Sequence, residues 1–251
     1  MRRIACFAVL VLLASCNKEA SSSHFQGYAE GEYVRVASPI SGQLLTLSVV
    51  RGDAVKVGDP LFMLEQEKEQ DELIEAQTAL TLSNLQLERQ TNLVSKKVST
   101  KEDLDRAQAR NDQDKAQLAQ IKWQLDQKTV KSPVSGAVID TLYQTGEYVP
   151  ASYPVVKLLP PENIKVRFFV PEKIVGTLKL GQTATIICDG CKETLPAKIT
   201  FIASEAEYTP PVIYSQENTQ KLVFMVEART SVDKSPLLHP GQPVEVDVGN
   251  E

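Results

Sequence analysis

Histidine is nearly absent from this chain: two residues in 251, His24 and His239. That leaves little material for histidine catalysis or a histidine-based metal site. A surplus of positive charge is missing as well. Lysine and arginine number 27 against 32 acidic residues, a formal charge of -5. Nucleic-acid binding wants a basic face, and this balance argues against it. Beyond the extreme N-terminus, no apolar run approaches the roughly 20 residues that span a bilayer as a helix. Glycine and proline vanish between Glu65 and Lys128, which frees that stretch of the usual helix breakers. What is present is 42% apolar content, enough for one or two units with real cores.

Residues 1–15 read as a leader rather than as part of the fold. Arg2 and Arg3 form a short positive region, and Ile4 to Leu13 is an apolar run of signal-peptide length, too short to cross a bilayer. Leu13-Ala14-Ser15-Cys16 follows, with small residues ahead of a cysteine. This run resembles a lipobox, the cleavage site of lipoprotein signal peptidase. The resemblance implies that Cys16 becomes the mature N-terminus and carries the acyl chains. Loss of Arg2 and Arg3 from the 27 basic residues leaves 25 against 32 acidic ones, a mature charge of -7. Residues 16–30 are then expected to be a lipidated tether, serine-rich from Asn17 to Ser23. Asn17 stands where aspartate is the familiar inner-membrane retention signal of enteric bacteria, so sorting to the outer membrane stays open.

The strongest internal signal is a repeat. Ala37-Ser38-Pro39-Ile40-Ser41-Gly42 returns 94 residues later as Lys131-Ser132-Pro133-Val134-Ser135-Gly136. The offset holds without gaps: Gly52 meets Gly146, Asp53 meets Glu147, Val55 meets Val149, Pro60 meets Pro154 and Leu64 meets Leu158. Ser38 to Leu64 contains eight identities in all. Turn glycines and strand residues fall in register, as duplicated β units predict. Each copy reads as short strands around turns such as Arg51-Gly52-Asp53 and Gly58-Asp59-Pro60. One copy is too small to cover both faces of its strands; two stacked copies cover each other.

Between the copies, residues 65–130 read as a helical hairpin. Leu73, Leu80, Leu87 and Val94 are spaced by seven. Leu104, Leu118 and Leu125 share a second frame of seven, with polar Asn111 in the missing slot and Ala107 and Ile121 beside it. Seams this narrow are of coiled-coil type. The rest is mostly solvated helix formers. Asp112 and Asp114 are expected to be helix-surface charges, since no glycine-bearing calcium loop follows. A turn is expected near Ser95-Lys96-Lys97-Val98-Ser99, with Ser99 or Thr100 capping the second helix and Glu102 and Asp103 favouring its positive end. Two helices of roughly 28 residues make a rod about 40 Å long.

Val49-x-x-Gly52-Asp53-x-Val55-x-x-Gly58-Asp59-Pro60-Leu61 resembles a lipoyl/biotinyl domain. In that family two half-motifs form a flattened barrel, and a carrier presents its modified lysine on a tight hairpin between them. Leu64-Glu65-Gln66-Glu67-Lys68 resembles the run leading to that lysine, so a carrier modified at Lys68 is the alternative reading. However, Pro133 lies 65 residues after Lys68, whereas a carrier's hairpin is short. A lipoyl-like module split by a helical hairpin is similar instead to the HlyD-type membrane fusion proteins, or periplasmic adaptors, over nearly the whole mature chain. The resemblance implies a mixed α and β fold. Residues 31–64 and 131–159 form a split lipoyl/biotinyl-like β-sandwich, 65–130 an inserted α-helical coiled-coil hairpin, and 160–251 a small β-barrel domain.

Members that join TolC-type outer-membrane channels carry an Arg, Leu, Ser triplet at the hairpin tip. Arg89 and Leu93 fit its first spacing; Thr100 fills the serine slot, with Ser99 beside it. These four residues are the expected channel contact. The implied role is that of a non-enzymatic adaptor in an efflux or secretion system, with no catalytic residues, metal or cofactor. It is expected to form a homo-oligomer, a hexamer, between an inner-membrane transporter of ABC rather than proton-driven type and a TolC-like channel. Its place is the periplasm, held to the inner membrane by the lipid.

From Asn163 onward short strands alternate with turns: Asn163 to Val170, Thr183 to Cys188, Ala197 to Ile202, Leu222 to Arg229 and Val244 to Val248. This spacing reads as a small β-barrel, with which Phe25 to Arg35 is expected to pair. The chain stops soon after the last strand, so a full membrane-proximal domain is expected to be absent or reduced. Cys188-Asp189-Gly190-Cys191 is the one redox-looking motif. Asp-Gly favours a two-residue hairpin turn, which would set the cysteines opposite each other and allow a disulfide in an oxidising compartment. A catalytic thiol pair sits at a helix N-terminus and zinc needs about two more ligands, so neither use fits. Thr209-Pro210-Pro211-Val212 reads as a stiff exposed loop.

Overall fold

The structure is a computed structural model and describes residues 24–208 and 222–249. The leader, Cys16 and the run from Thr209 to Val212 lie outside the described residues. The described residues divide into two compact units, Gly31–Ile164 and a second made of 24–30 with 165–208 and 222–249.

Strand β1 (His24–Gly31) belongs to the second unit. The first unit then runs β2 (Val34–Ala37), β3 (Gly42–Leu47), β4 (Ala54–Val55), β5 (Pro60–Leu64), helices α1 (Glu67–Ser95) and α2 (Lys101–Gln127), β6 (Thr129–Lys131), β7 (Gly136–Thr141), β8 (Tyr148–Val149) and β9 (Pro154–Leu159). The strands form two four-stranded sheets, ordered β2-β9-β7-β4 and β6-β5-β3-β8. Exchanging the repeat copies converts one order into the other, so each sheet takes two strands from each copy.

The hydrogen bonds repeat too. Gly52 N–H donates to Val138 O at 2.9 Å, and Gly146 N–H to Leu44 O at 2.7 Å. Asp53 Oδ2 accepts from Val50 N–H at 2.8 Å, and Glu147 Oε2 from Gln144 N–H at 2.9 Å. The core between the sheets includes Leu44, Leu61, Phe62, Leu64, Val155 and Leu158, all fully buried. Each such side chain contributes about 1.5–3 kcal/mol of burial. The copies differ at one matched glycine. A Cβ on Gly136 would sit 2.5 Å from Leu159 O, whereas one on Gly42 would meet Lys128 Nζ at 3.2 Å and Leu64 Cβ at 3.3 Å.

Helices α1 and α2 contain 29 and 27 residues, so they are about 43 and 40 Å long. The expected hairpin of 65–130 loses its last two residues to β6. Thr129 and Val130 are β-branched and pair with Met63 and Phe62 at the sheet edge. At this base Leu64 N–H donates to Lys128 O at 2.8 Å, and the buried Lys128 ammonium meets Glu69 at 2.9 Å. The expected leucine seam is only half of the contact. Glu69, Ala76, Ser83 and Gln90 form the other heptad line, and Ala76 and Ser83 are the buried residues of α1. On α2 the buried residues are Asn111, Asp114, Leu118 and Ile121. Asp114 therefore corrects the expected surface charge: it shares the seam with Asn111, and its carboxylate pairs with Arg110 at 3.2 Å.

The second unit is a closed six-stranded barrel, β1-β10-β13-β12-β11-β14, with β10 (Ile164–Pro171), β11 (Thr183–Ile187), β12 (Leu195–Tyr208), β13 (Leu222–Thr230) and β14 (Pro243–Asp247). Val166, Phe168, Val170, Ile186, Val226 and Val246 are fully buried in it. The tether expected over 16–30 gives way to strand from His24, since His24 to Tyr28 pair with Asp247 to Pro243. Without β1 the barrel would leave open edges on β10 and β14. An ion network ties β1 to β10 and β10 to β13: Arg167 meets Glu30 at 2.9 Å, and Lys165 meets Glu227 at 2.7 Å. The barrel domain was expected to start at 160, but Glu32 N–H donates to Asn163 O at 3.0 Å, and residues up to Ile164 stay with the sandwich.

Cys188 and Cys191 are joined as a disulfide, with Cα atoms 5.4 Å apart. They face each other across the expected two-residue turn, Asp189-Gly190, but no strand ladder runs up to it. Cys191 N–H donates to Cys188 O at 3.1 Å, and Gly190 takes φ 87°, which makes a self-contained β-turn. The β11–β12 ladder has already stopped at Ile186 and Leu195.

Candidate functional site

The rod's tip is built from two helix ends. Helix α1 has no glycine to stop on, so Lys97 takes the left-handed φ of 59°. Its N–H donates to Val94 O at 2.9 Å, and Val98 N–H donates to Leu93 O at 2.9 Å. This is a Schellman closure, in which Leu93 and Val98 are the apolar pair. Helix α2 begins at Thr100, whose backbone is extended and whose Oγ1 accepts Asp103 N–H at 3.1 Å. Of the two expected caps, Thr100 is the one used. Its hydroxyl proton goes to Asp103 Oδ2 at 2.6 Å. That bond is the first cause that holds the Asp103 carboxyl below the usual carboxylate range. Ser99 lies just outside the helix and donates to Gln90 Oε1 at 2.9 Å.

Arg89 and Leu93 lie one turn apart on α1, Arg89 exposed and Leu93 half-buried. Arg106 is held by Glu102 at 3.0 Å and Asp103 at 3.5 Å; among the described residues Arg89 has no such ion pair. Together with Leu85, Glu88, Asn92 and Lys96, Arg89 and Leu93 line a shallow open depression. Leu85 is 54% exposed and Val98 71%. The tip thus offers an unpaired guanidinium, exposed apolar side chains and hydroxyl lone pairs, the equipment for binding helices. Sequence reasoning missed Gln90 and Leu85, and it placed Lys97 in the turn without its left-handed backbone. Gln90 was detectable as the fourth member of the heptad line from Glu69; Lys97 carried no signal, because lysine has no preference for left-handed backbone.

Lys68 is the second residue of α1, exposed, with Glu72 at 3.7 Å. It is on a helix, not at a turn between strands. Among the described residues, no group of three or more His, Cys, Asp or Glu is placed to hold a metal ion, and no helix is long and apolar enough to cross a membrane.

A family model described as RND MFP, barrel-sandwich hybrid domain matches residues 32–158, the split sandwich and its rod. A UPF0194 membrane protein of Acidithiobacillus ferridurans is 30% identical over 167 residues, covering 66% of this chain and 49% of that protein. The multidrug resistance protein MdtA of Pectobacterium atrosepticum is 26% identical over 197 residues, covering 70% of this chain and 48% of that protein. The chain thus spans about half the length of these curated relatives. A MacA-MexA chimeric protein containing the Pseudomonas aeruginosa MexA α-hairpin domain is similar in fold, with a TM-score of 0.71 at 22% identity, over 90% of this chain and 78% of that one. With the family model spanning the two-copy sandwich and the rod that interrupts it, the chain belongs to the membrane fusion protein family.

Proposed function

We propose that this chain is a periplasmic adaptor subunit that links an inner-membrane transporter to a TolC-like outer-membrane channel in an efflux or secretion system. The observation that carries this reading is the rod, two helices of 29 and 27 residues ending in an exposed Arg89 and a half-buried Leu93. The similarity to a multidrug resistance protein supports efflux. The subunit does no chemistry; the transporter supplies the energy. At the tip, Leu93 inserts between channel helices and Arg89 donates to their acceptors. Ser99 and Thr100 contribute lone pairs, since their protons go to Gln90 and Asp103. Copies assemble as a homo-oligomer, a hexamer, and acyl chains on Cys16 hold it at the inner membrane.

Leu93→Asp tests the reading. It is expected to abolish crosslinking to the channel and export while both β units stay folded; normal export in that variant overturns tip docking. A lipoyl or biotinyl mass increment on Lys68 in the intact protein would overturn the adaptor reading itself.

The inner-membrane partner in this reading is an ABC-type exporter, by the likeness of the chain's layout to adaptors of such exporters. A second reading has its own support, because the matching family model carries RND in its description. Crosslinking to the transporters encoded beside this chain separates them: capture of a permease with its ATPase favours the first, capture of an RND pump the second.

A further inference from the structure

The rod is packed unequally along its length. In the basal half Ala76, Leu118 and Ile121 are buried, with Leu73 and Leu80 against them. The Lys128–Glu69 pair and a 3.0 Å bond from Ser38 Oγ to Gln127 O tie that half to the sandwich. A polar layer follows at mid-rod. Asn111 is fully buried; its amide donates to Asn84 Oδ1 at 2.6 Å and Ser83 Oγ at 3.3 Å, and its own Oδ1 has no partner. From there to the tip, residues 84–110 include no buried side chain. The seam positions Leu87, Gln90, Val94, Leu104 and Ala107 are only half-buried.

The distal segments, Asn84–Ser95 and Lys101–Arg110, are the ends of helices nucleated in the basal half, so opening them gives up no nucleus and loses only near-neutral propagation together with their seam contacts. Their order depends on seam contacts, and the seam is thin there. A buried polar layer with an unpaired acceptor passes little packing energy from one side to the other.

We infer that the rod is two cooperative units in series, divided at the Ser83–Asn111 layer, and that the distal unit opens and recloses while the basal unit and sandwich stay folded. The layer also restores the register on closing, because the Asn111 amide meets Asn84 and Ser83 in only one alignment of the helices. The device makes the tip adaptable while its base remains a fixed support. It does not depend on what the tip binds.

Hydrogen exchange on the full chain, read by mass spectrometry, tests this. Amides of 84–95 and 101–110 are expected to exchange at least about tenfold faster than those of 70–82 and 112–126, with a step at the layer. Asn111→Leu joins Leu104 to Leu118 through an apolar side chain and is expected to slow distal exchange about tenfold, leaving the basal rate unchanged. Ala107→Leu thickens the distal seam without touching the layer; it is expected to slow distal exchange and leave the step in place. Uniform protection along both helices overturns the proposal, as does a smooth gradient from tip to base. Unchanged distal exchange in both variants does so too.

Discussion

The sandwich and the rod cover apolar surface in opposite ways. The sandwich is written twice, and its strands find partners far along the chain: Val34 of β2 pairs with Leu158 of β9. Its core side chains, Leu44 and Leu158 among them, are fully buried. The rod folds on itself across a turn of five residues, 96–100. Its most buried side chains include Ser83 and Asn111, both polar. Almost any change in the sandwich core forces repacking, whereas most of the rod's surface is free to vary. Stability therefore concentrates in the sandwich, and recognition is free to concentrate on the rod.

The largest effect expected from this contrast is in paired leucine truncations. Leu158→Ala, in the sandwich, is expected to cost about 3–5 kcal/mol, and Leu118→Ala, in the rod, about 2 kcal/mol. Trp123 is the single tryptophan and lies on α2. Its fluorescence follows the rod during denaturant unfolding, while tyrosine absorbance follows the β units. Equal losses on both signals would break the comparison. The next effect lies within the sandwich. Gly136→Ala is expected to cost about 2–3 kcal/mol, because the methyl meets backbone atoms that cannot turn aside, and Gly42→Ala about 1 kcal/mol or less. Unfolding midpoints of the two variants check the order.

A smaller effect belongs to the rod's cap. Thr100→Ala removes an N-cap bond worth about 1 kcal/mol, read from the helix ellipticity on heating. The pH dependence gives its sign. The folded Asp103 carboxyl is held below its ordinary value, first by the Thr100 hydroxyl. That contribution is complete at neutral pH and is lost as pH falls through the lowered folded value. The difference between parent and variant is therefore expected to shrink on strong acidification. A difference that grows instead would contradict the assignment of Thr100 as the carboxylate's partner.

How much of this was legible followed the periodicities. The 94-residue offset placed both copies of the sandwich, because turn glycines and core leucines must recur where strands recur. The leucine heptads placed the rod but gave only half of its seam. Ala76, Ser83 and Asp114 are buried there, and small or charged residues do not announce burial. The ends of elements were hidden for a related reason. Whether Thr129 and Val130 extend a helix or join a sheet is decided by the neighbouring edge of β5, a tertiary partner that local sequence does not display. At the tip, the spacing of Arg89, Leu93 and Thr100 was visible, but the commitment of the Thr100 and Ser99 protons to Asp103 and Gln90 was not. The turn between Cys188 and Cys191 was legible, but the absence of a ladder beside it was not, because Asp-Gly specifies a turn and not whether strands flank it closely.

The smallest effect asks how far the two halves of the sandwich are equivalent. Gly58 and Ser152 occupy matched turns, with N–H groups that donate to Ser132 O at 2.8 Å and Ser38 O at 2.7 Å. Both are left-handed, at φ 90° and φ 65°. That backbone is natural for glycine and costs about 1–2 kcal/mol for a residue with a Cβ. Glycine loses about 0.5–1 kcal/mol of that advantage through the greater freedom of its unfolded chain. Ser152→Gly is therefore expected to stabilise the protein by up to about 1 kcal/mol, seen as a higher urea midpoint with an unchanged slope. Gly58→Ser is expected to lower the midpoint by a similar amount. If Ser152→Gly also lowered it, the serine side chain would be contributing more than its backbone costs. The second copy's turn would then be a distinct solution rather than a strained version of the first.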